Sequence, residues 1–200
     1  MIKHIFFDAD GMVVSKPYRF SEVLARDYGI TSEVTNLFFK NEFLEVETGK
    51  ADLKEQLPKY LRQWGWQKSL EEFLAYWFKS ENYIDTEVIK SIKSLRNGRI
   101  KCYLATNQEK YRAAYMKNVM GLDENLFDKI FVSCEVGYLK PSAEFWSAID
   151  NSLGELNKNE VLVWDDKEKC VAGAKQIGFH AELYRNFRDY REILGNYPIK

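Results

Sequence analysis

Neither sign of charge is in excess in this chain: 29 Lys and Arg stand against 30 Asp and Glu, a net charge of -1. Without a basic stripe in either half, the electrostatic footprint of nucleic-acid binding is missing. Cysteine is scarce. Cys102, Cys134 and Cys170 are odd in number, far apart and set among apolar neighbours. That excludes a disulfide framework or a zinc site and leaves small hydrophobes in a reducing compartment. No apolar run approaches the ~20 residues that a membrane span requires. The first apolar run begins within a few residues of Met1, so no signal or transit peptide is expected and the protein reads as soluble and cytoplasmic. The two histidines, His4 and His180, flank strand patterns and are expected to be structural or solvated. Internal repeats and low-complexity segments are absent from the sequence.

What the sequence does hold is apolar residue in quantity, 46% of 200 residues, enough for one packed domain or for a core with a modest insertion. Near the start, Ile5-Phe6-Phe7 reads as a buried strand that ends in Asp8-Ala9-Asp10-Gly11. Residues 15–17 read as a loop. From 16 to 83 every pattern is helical: Phe20, Val23, Leu24 and Tyr28; then Val34, Leu37, Phe38 and Leu44 on one stripe ending near Gly49; then Leu53, Leu57, Tyr60, Leu61 and Trp64. Pro58 is expected to kink or restart that third helix. Ser69 and Glu72 are spaced as a capping box for a fourth.

From Asp85 onward the pattern alternates. A helix through Val88, Ile92 and Leu95 is closed by Asn97-Gly98. A strand at 100–105 ends in Thr106-Asn107, and a helix follows with Tyr111, Ala114, Tyr115 and Val119. Strands at 130–133, 161–164 and 181–184 are separated by helices at 141–153 and 168–177, and a terminal helix runs through Leu194. Such alternation predicts βαβ units and a doubly wound parallel sheet covered on both faces. An all-helical insertion follows its first strand.

In an open parallel sheet, ligands bind beyond the carboxyl ends of the strands. Four polar groups fall there: Asp8 and Asp10 after the first strand, Thr106 and Asn107 after the second, Lys140 after the third, and Asp165 and Asp166 after the fourth. Any one of them alone reads as a turn or a helix cap. Together they supply carboxylates, a hydroxyl with helix-start amides, and a cation, which suits phosphoryl transfer. Asp8, Asp165 and Asp166 could hold a hard, oxygen-loving Mg²⁺. Lys140 and Thr106 would meet the phosphate, and Asp10 would protonate the leaving oxygen and later take a proton from water.

With these four stretches the chain resembles the haloacid dehalogenase-like (HAD) superfamily. The resemblance rests on Phe6-Phe7-Asp8-Ala9-Asp10-Gly11, Leu104-Ala105-Thr106-Asn107, Gly137-Tyr138-Leu139-Lys140-Pro141 and Val163-Trp164-Asp165-Asp166, in that order. It implies a Rossmann-like core at 1–15 and 84–200 with a small helical cap at 16–83. It further implies Asp8 as nucleophile forming an aspartyl-phosphate, and Asp10 as general acid/base. The implied Mg²⁺ site comprises Asp8, the Asp10 carbonyl, Asp165 and Asp166, and the implied phosphate site comprises Thr106, Asn107 and Lys140. Lys167 departs from the small hydroxyl residue common at that place in relatives. The expected activity is hydrolysis of a small phosphorylated metabolite, a sugar phosphate being one example, by a monomer or homodimer. A phosphosugar mutase or a non-catalytic binding protein on the same fold are the alternatives. True dehalogenases of the superfamily lack the second aspartate of the first stretch. The loop Glu47-Thr48-Gly49-Lys50 resembles the cap loop that selects substrate in relatives. The cap's many aromatic rings, at helical spacing, are expected to be core packing, with one or two rings facing the site as the alternative.

Overall fold

The computed structural model describes residues 1–15 and 17–199; Lys16, within the loop expected at 15–17, and Lys200 lie outside the described residues. Five strands, β1 (His4–Phe7), β2 (Lys101–Thr106), β3 (Lys129–Val132), β4 (Val161–Asp165) and β5 (His180–Leu183), form one sheet in the order β3-β2-β1-β4-β5. Every pairing is parallel. β1 is central, with Phe7 opposite Leu104 of β2 and Trp164 of β4. The chain winds outward from β1 to one edge and then to the other. The crevice at that reversal opens where β1 ends, at Asp8.

The alternation of side chains across the pleat divides the core into two layers. Phe7, Leu104 and Trp164 pack on one face under α6 (Thr86–Asn97) and α11 (Phe187–Leu194), whose Val88, Ile92 and Tyr190 complete that layer. Phe6, Tyr103 and Val163 pack on the other face under α9 (Ala143–Ser152) and α10 (Glu168–Gln176), through Phe145, Trp146, Ile149 and Ala174. Both faces are covered, so Ile5, Phe6 and Phe7 are all fully buried.

Between β1 and α6 lie five helices: α1 (Phe20–Tyr28), α2 (Ser32–Lys40), α3 (Glu42–Glu47), α4 (Leu53–Gln63) and α5 (Leu70–Ser80). Sequence pattern alone suggests four. The difference arises at Asn41, whose backbone (φ -117°, ψ -87°) leaves the helical region and whose side chain donates to the Leu37 carbonyl at 2.9 Å. The break turns Val34, Leu37 and Leu44 outward, while Phe38 stays buried. Pro58 does not restart a helix, since α4 runs through it and forgoes one backbone bond. The aromatic rings make a separate core, with Phe20 and Trp77 stacked at 5.1 Å and Phe38 and Tyr60 at 4.9 Å. Phe38, Tyr60, Trp64, Trp66, Phe73, Trp77 and Phe78 are buried in it, the core packing that their helical spacing predicts.

α6 closes at Asn97 with Gly98 as its cap, as the sequence predicts, although the left-handed backbone falls on Arg99 (φ +67°) and not on Gly98 (φ -77°). One smaller expectation changes. In α7 (Lys110–Asn118) the buried residues are Arg112 and Met116, while Val119, beyond its end, is 59% exposed. Arg112 is buried because its guanidinium donates to the Phe78 and Glu81 carbonyls, both at 3.0 Å, which ends α5 against α7. No helix among the described residues is long and apolar enough to cross a membrane.

Candidate active site

Asp8 continues the sheet ladder one residue past β1, its amide donating to the Trp164 carbonyl at 3.0 Å. The side chain is 3% exposed, and Oδ1 accepts from the Ala9 amide at 2.7 Å and from Lys140 Nζ. The chain then turns tightly, with the Val14 amide bonded to the Ala9 carbonyl and the Gly11 amide to the Val14 carbonyl. Gly11 sits at φ +96°, and a Cβ there would come within 2.5 Å of Asp166 Cγ. Two separate demands therefore require glycine: the backbone angle and the close approach of Asp166. We expect Gly11→Ala to cost about 1–3 kcal/mol in stability and to weaken Mg²⁺ binding several-fold. Thermal melts and calorimetric titration would check this, and unchanged values in both would contradict the close approach.

Asp165 ends β4 and is 1% exposed; its Oδ1 accepts from the Lys167 amide at 2.9 Å. Asp166 follows. One carboxylate oxygen from each of Asp8, Asp165 and Asp166 lies within 4.8 Å of the others. Lys140 joins this cluster from the loop after α8 (Ser133–Val136), its Nζ paired with Asp8 and 2.7 Å from Asp165 Oδ2. Three attachments hold its backbone. The amide donates to Asn107 Oδ1 at 2.9 Å, and the carbonyl accepts from Trp146 Nε1 at 2.9 Å. Behind it, a Cβ on Gly173 of α10 would come within 2.7 Å of the Lys140 carbonyl oxygen and 2.6 Å of that of Pro141.

The electrostatics follow from burial. Burial raises the Asp8 carboxyl well above its ordinary value, Lys140 opposes this, and Asp165 and Asp166 add to it. Burial alone would lower the Lys140 ammonium, but Asp8 and Asp165 outweigh it and hold the charge in place. Lys167 is likewise raised against its own burial, by Asp166 and then Asp8. The three cysteine thiols are all pushed up by burial, Cys102 and Cys170 to about 12 and Cys134 to about 11, so none is a ready nucleophile.

The site residues read from sequence thus converge on one end of the sheet. Thr106 closes β2 and is 2% exposed. One expected feature moves: no helix begins directly after Thr106-Asn107. α7 begins at Lys110, and the Glu109 side chain already accepts from the Tyr111 amide at 2.8 Å and from the Arg112 amide. Its first amides are therefore committed to Glu109 rather than open to an anion. The acceptor of Asn107 is likewise committed to the Lys140 amide.

Three residues carry more of the site than sequence spacing suggests. Gln108 Nε2 donates to Asp10 Oδ2, across 98 positions of sequence. Ser133 Oγ donates to the Glu47 carbonyl at 2.6 Å and accepts from the Gln108 amide at 3.0 Å. Glu47 itself, at the end of α3, feels Lys167, Lys169, Asp10 and Lys140, and burial pushes its carboxyl up to about 7. Gly49 gives the following turn its left-handed backbone (φ +72°), and a Cβ there would collide with the Cys134 carbonyl. No residue pattern announces Gln108 or Ser133; Glu47 at least lies in the loop marked by Gly49.

No protein-family model matches the chain, and no curated protein matches it by sequence. Solved structures do match in fold. A predicted HAD-like family hydrolase from Porphyromonas gingivalis is 23% identical over 98% of this chain and 99% of its own, with a TM-score of 0.80. A HAD family enzyme from Bacteroides thetaiotaomicron, solved in complex with magnesium and inorganic phosphate, is 20% identical over 96% and 99%, with a TM-score of 0.82. The L-2-haloacid dehalogenase from Xanthobacter autotrophicus is 21% identical over 98% and 84%, with a TM-score of 0.62. The fold is that of the HAD-like hydrolases.

Proposed function

We propose that the protein is a Mg²⁺-dependent phosphatase of the HAD type that hydrolyses a small phosphorylated metabolite through an aspartyl-phosphate on Asp8. One observation carries the reading. Asp8 Oδ2 and Asp166 Oδ1 are buried without a hydrogen-bond partner, within an acidic trio whose oxygens lie within 4.8 Å of one another. Buried carboxylate oxygens left in that state are costly unless a cation completes them. An all-oxygen donor set suits a hard divalent ion. The Bacteroides structure with magnesium and phosphate supports the same ion for this fold.

Asp8, Asp165 and Asp166, with the Asp10 carbonyl, would hold a Mg²⁺ that supplies charge neutralisation between nucleophile and phosphate. Asp8 attacks phosphorus and the bond to the leaving oxygen breaks, while Asp10 donates a proton to that oxygen. Asp10 then takes a proton from the water that opens the acyl phosphate. Lys140 and Thr106 meet the non-bridging oxygens, and the fixed Lys140 charge costs no reorganisation as charge shifts onto the phosphoryl group. The helical group at 16–83 acts as the cap, and Glu47, carried on its α3, faces the leaving group.

Carbon–halogen displacement is the reading that the dehalogenase neighbour raises. A halide departs without a proton, so that chemistry has no use for an acid at Asp10. The experiment is release of phosphate from 4-nitrophenyl phosphate, and of halide from 2-chloropropionate, with Mg²⁺ and with chelator. Metal-dependent phosphate release alone is expected. Halide release insensitive to chelator would overturn the proposal.

A further inference from the structure

The site contains a second set of contacts that the chemistry above does not use, and it joins the helical group to Asp10. Ser133 Oγ is fully buried, and its hydroxyl has two acceptors, the Glu47 carbonyl at 2.6 Å and the Gln108 carbonyl at 3.3 Å. The same oxygen accepts from the Gln108 amide at 3.0 Å. Gln108 is 8% exposed, and its side chain reaches Asp10 Oδ2. Close packing of Gly49 on the Cys134 carbonyl seats the Glu47 loop where the first of these bonds can form.

We infer that Gln108 is a positioning residue for Asp10, and that Ser133 seats the Gln108 backbone. The inference rests on the phosphatase reading and on Asp10 as its acid. An amide N–H can pair only with a carboxyl oxygen that accepts. By holding Oδ2 as acceptor, Gln108 assigns the transferable proton to Oδ1. That bond fixes the orientation in which the carboxyl meets the leaving oxygen. Ser133 ties this arrangement to the helical group: its hydroxyl bonds the Glu47 carbonyl while its oxygen accepts from the Gln108 amide.

The leaving group reads this out. A nitrophenolate departs with little help, whereas an alkoxide needs the proton, so misplacing the acid harms poor leaving groups selectively. The measurement is kcat/KM, which reports the steps up to loss of the leaving group, for 4-nitrophenyl, phenyl and 4-methylphenyl phosphate and for a simple alkyl phosphate. In Gln108→Met, loss on the alkyl phosphate is expected to be roughly 30-fold or more, and on 4-nitrophenyl phosphate under about 3-fold. Gln108→Asn, which keeps the amide but lacks its reach, should show the same slope and decides the matter if the Met variant does not fold. Ser133→Ala should show a weaker loss of the same pattern, and the double variant Ser133→Ala/Gln108→Met should be no worse than Gln108→Met alone. Equal losses across the series would reduce both residues to a structural role and overturn the inference, as would multiplying losses in the double variant. Asp10→Asn distinguishes the two levels of the argument: wild type inactive on every phosphate, or an Asp10→Asn variant with no leaving-group dependence, removes the underlying reading and this inference with it.

Discussion

Turnover of an aryl phosphate by Asp8→Asn is expected to fall by about 10⁴-fold or more, to the limit of detection, while the folded protein loses no stability. The first half follows from the role of the oxygen. Asn presents a neutral amide, which does not attack phosphorus and offers a metal an oxygen without its charge. The second half follows from burial. Asp8 is 3% exposed, and its carboxyl is raised well above its ordinary value because burial disfavours the charge. A group whose folded pKa lies above its unfolded one destabilises the fold increasingly as pH rises past the unfolded value near 4. The neutral amide avoids that penalty, and Lys140 keeps Asp165 as a partner at 2.7 Å. Denaturant unfolding in chelator at pH 7.5 should therefore show Asp8→Asn at least as stable as wild type, with weaker Mg²⁺ binding. Residual turnover above one part in 10³ would rule out Asp8 as nucleophile.

Lys140→Met is expected to do the opposite to stability. Its ammonium is the buried cation among three carboxylates, 4% exposed and paired with two of them. Removing one partner of a buried pair leaves uncompensated charge, which typically costs about 3–5 kcal/mol. Asp8 and Asp165 are both left in that state. Methionine replaces most of the volume but none of the charge, so the loss is electrostatic and not one of packing. Two consequences separate this from ordinary destabilisation. Added Mg²⁺ should restore a larger share of stability than it adds to wild type, since the ion takes over neutralisation. Lower pH, which protonates the carboxylates, should also narrow the gap. A Lys140→Met protein with wild-type stability in chelator would show that the pair is not held in solution as described.

The strands could be found from sequence to within a residue or two. β1, β2 and β4 are covered on both faces and read as apolar runs bounded by polar turns. β5, with His180 and Glu182, is marked only by its place in the alternation. β3 illustrates the limit: the run suggests 130–133, but Ser133 already belongs to α8. No local signal marks a four-residue helix. The charged members of the site were legible for the same reason as the strands, since a carboxylate or lysine at a strand's carboxyl end lies where the topology gathers side chains. Gln108 and Ser133 were not. Their significance comes from partners 98 and 86 positions away, and neither residue type is unusual in a loop. Arg112 hid for a related reason. A charged residue on a helix is read as solvent-facing until its guanidinium is seen to end another helix. The break at Asn41 is the converse case, a continuous apolar stripe interrupted by one side chain that bonds backward to its own helix.

The helical group leaves and rejoins the sheet domain through segments that bond to each other: the Ser15 amide to the Tyr83 carbonyl, the Asp85 amide to the Val13 carbonyl, and Val14 across from Ile84. Seen from the α/β core, everything between these bonds is a single excursion whose neck is already closed. The entropy of closing such a neck grows only with the logarithm of the length beyond it. Helices there can lengthen, shorten or be exchanged at little expense to the sheet that holds Asp8, Lys140 and Asp165. The acidic cluster of the sheet and the helical group are therefore mechanically separable in this chain, and substitutions in the one need not disturb the other.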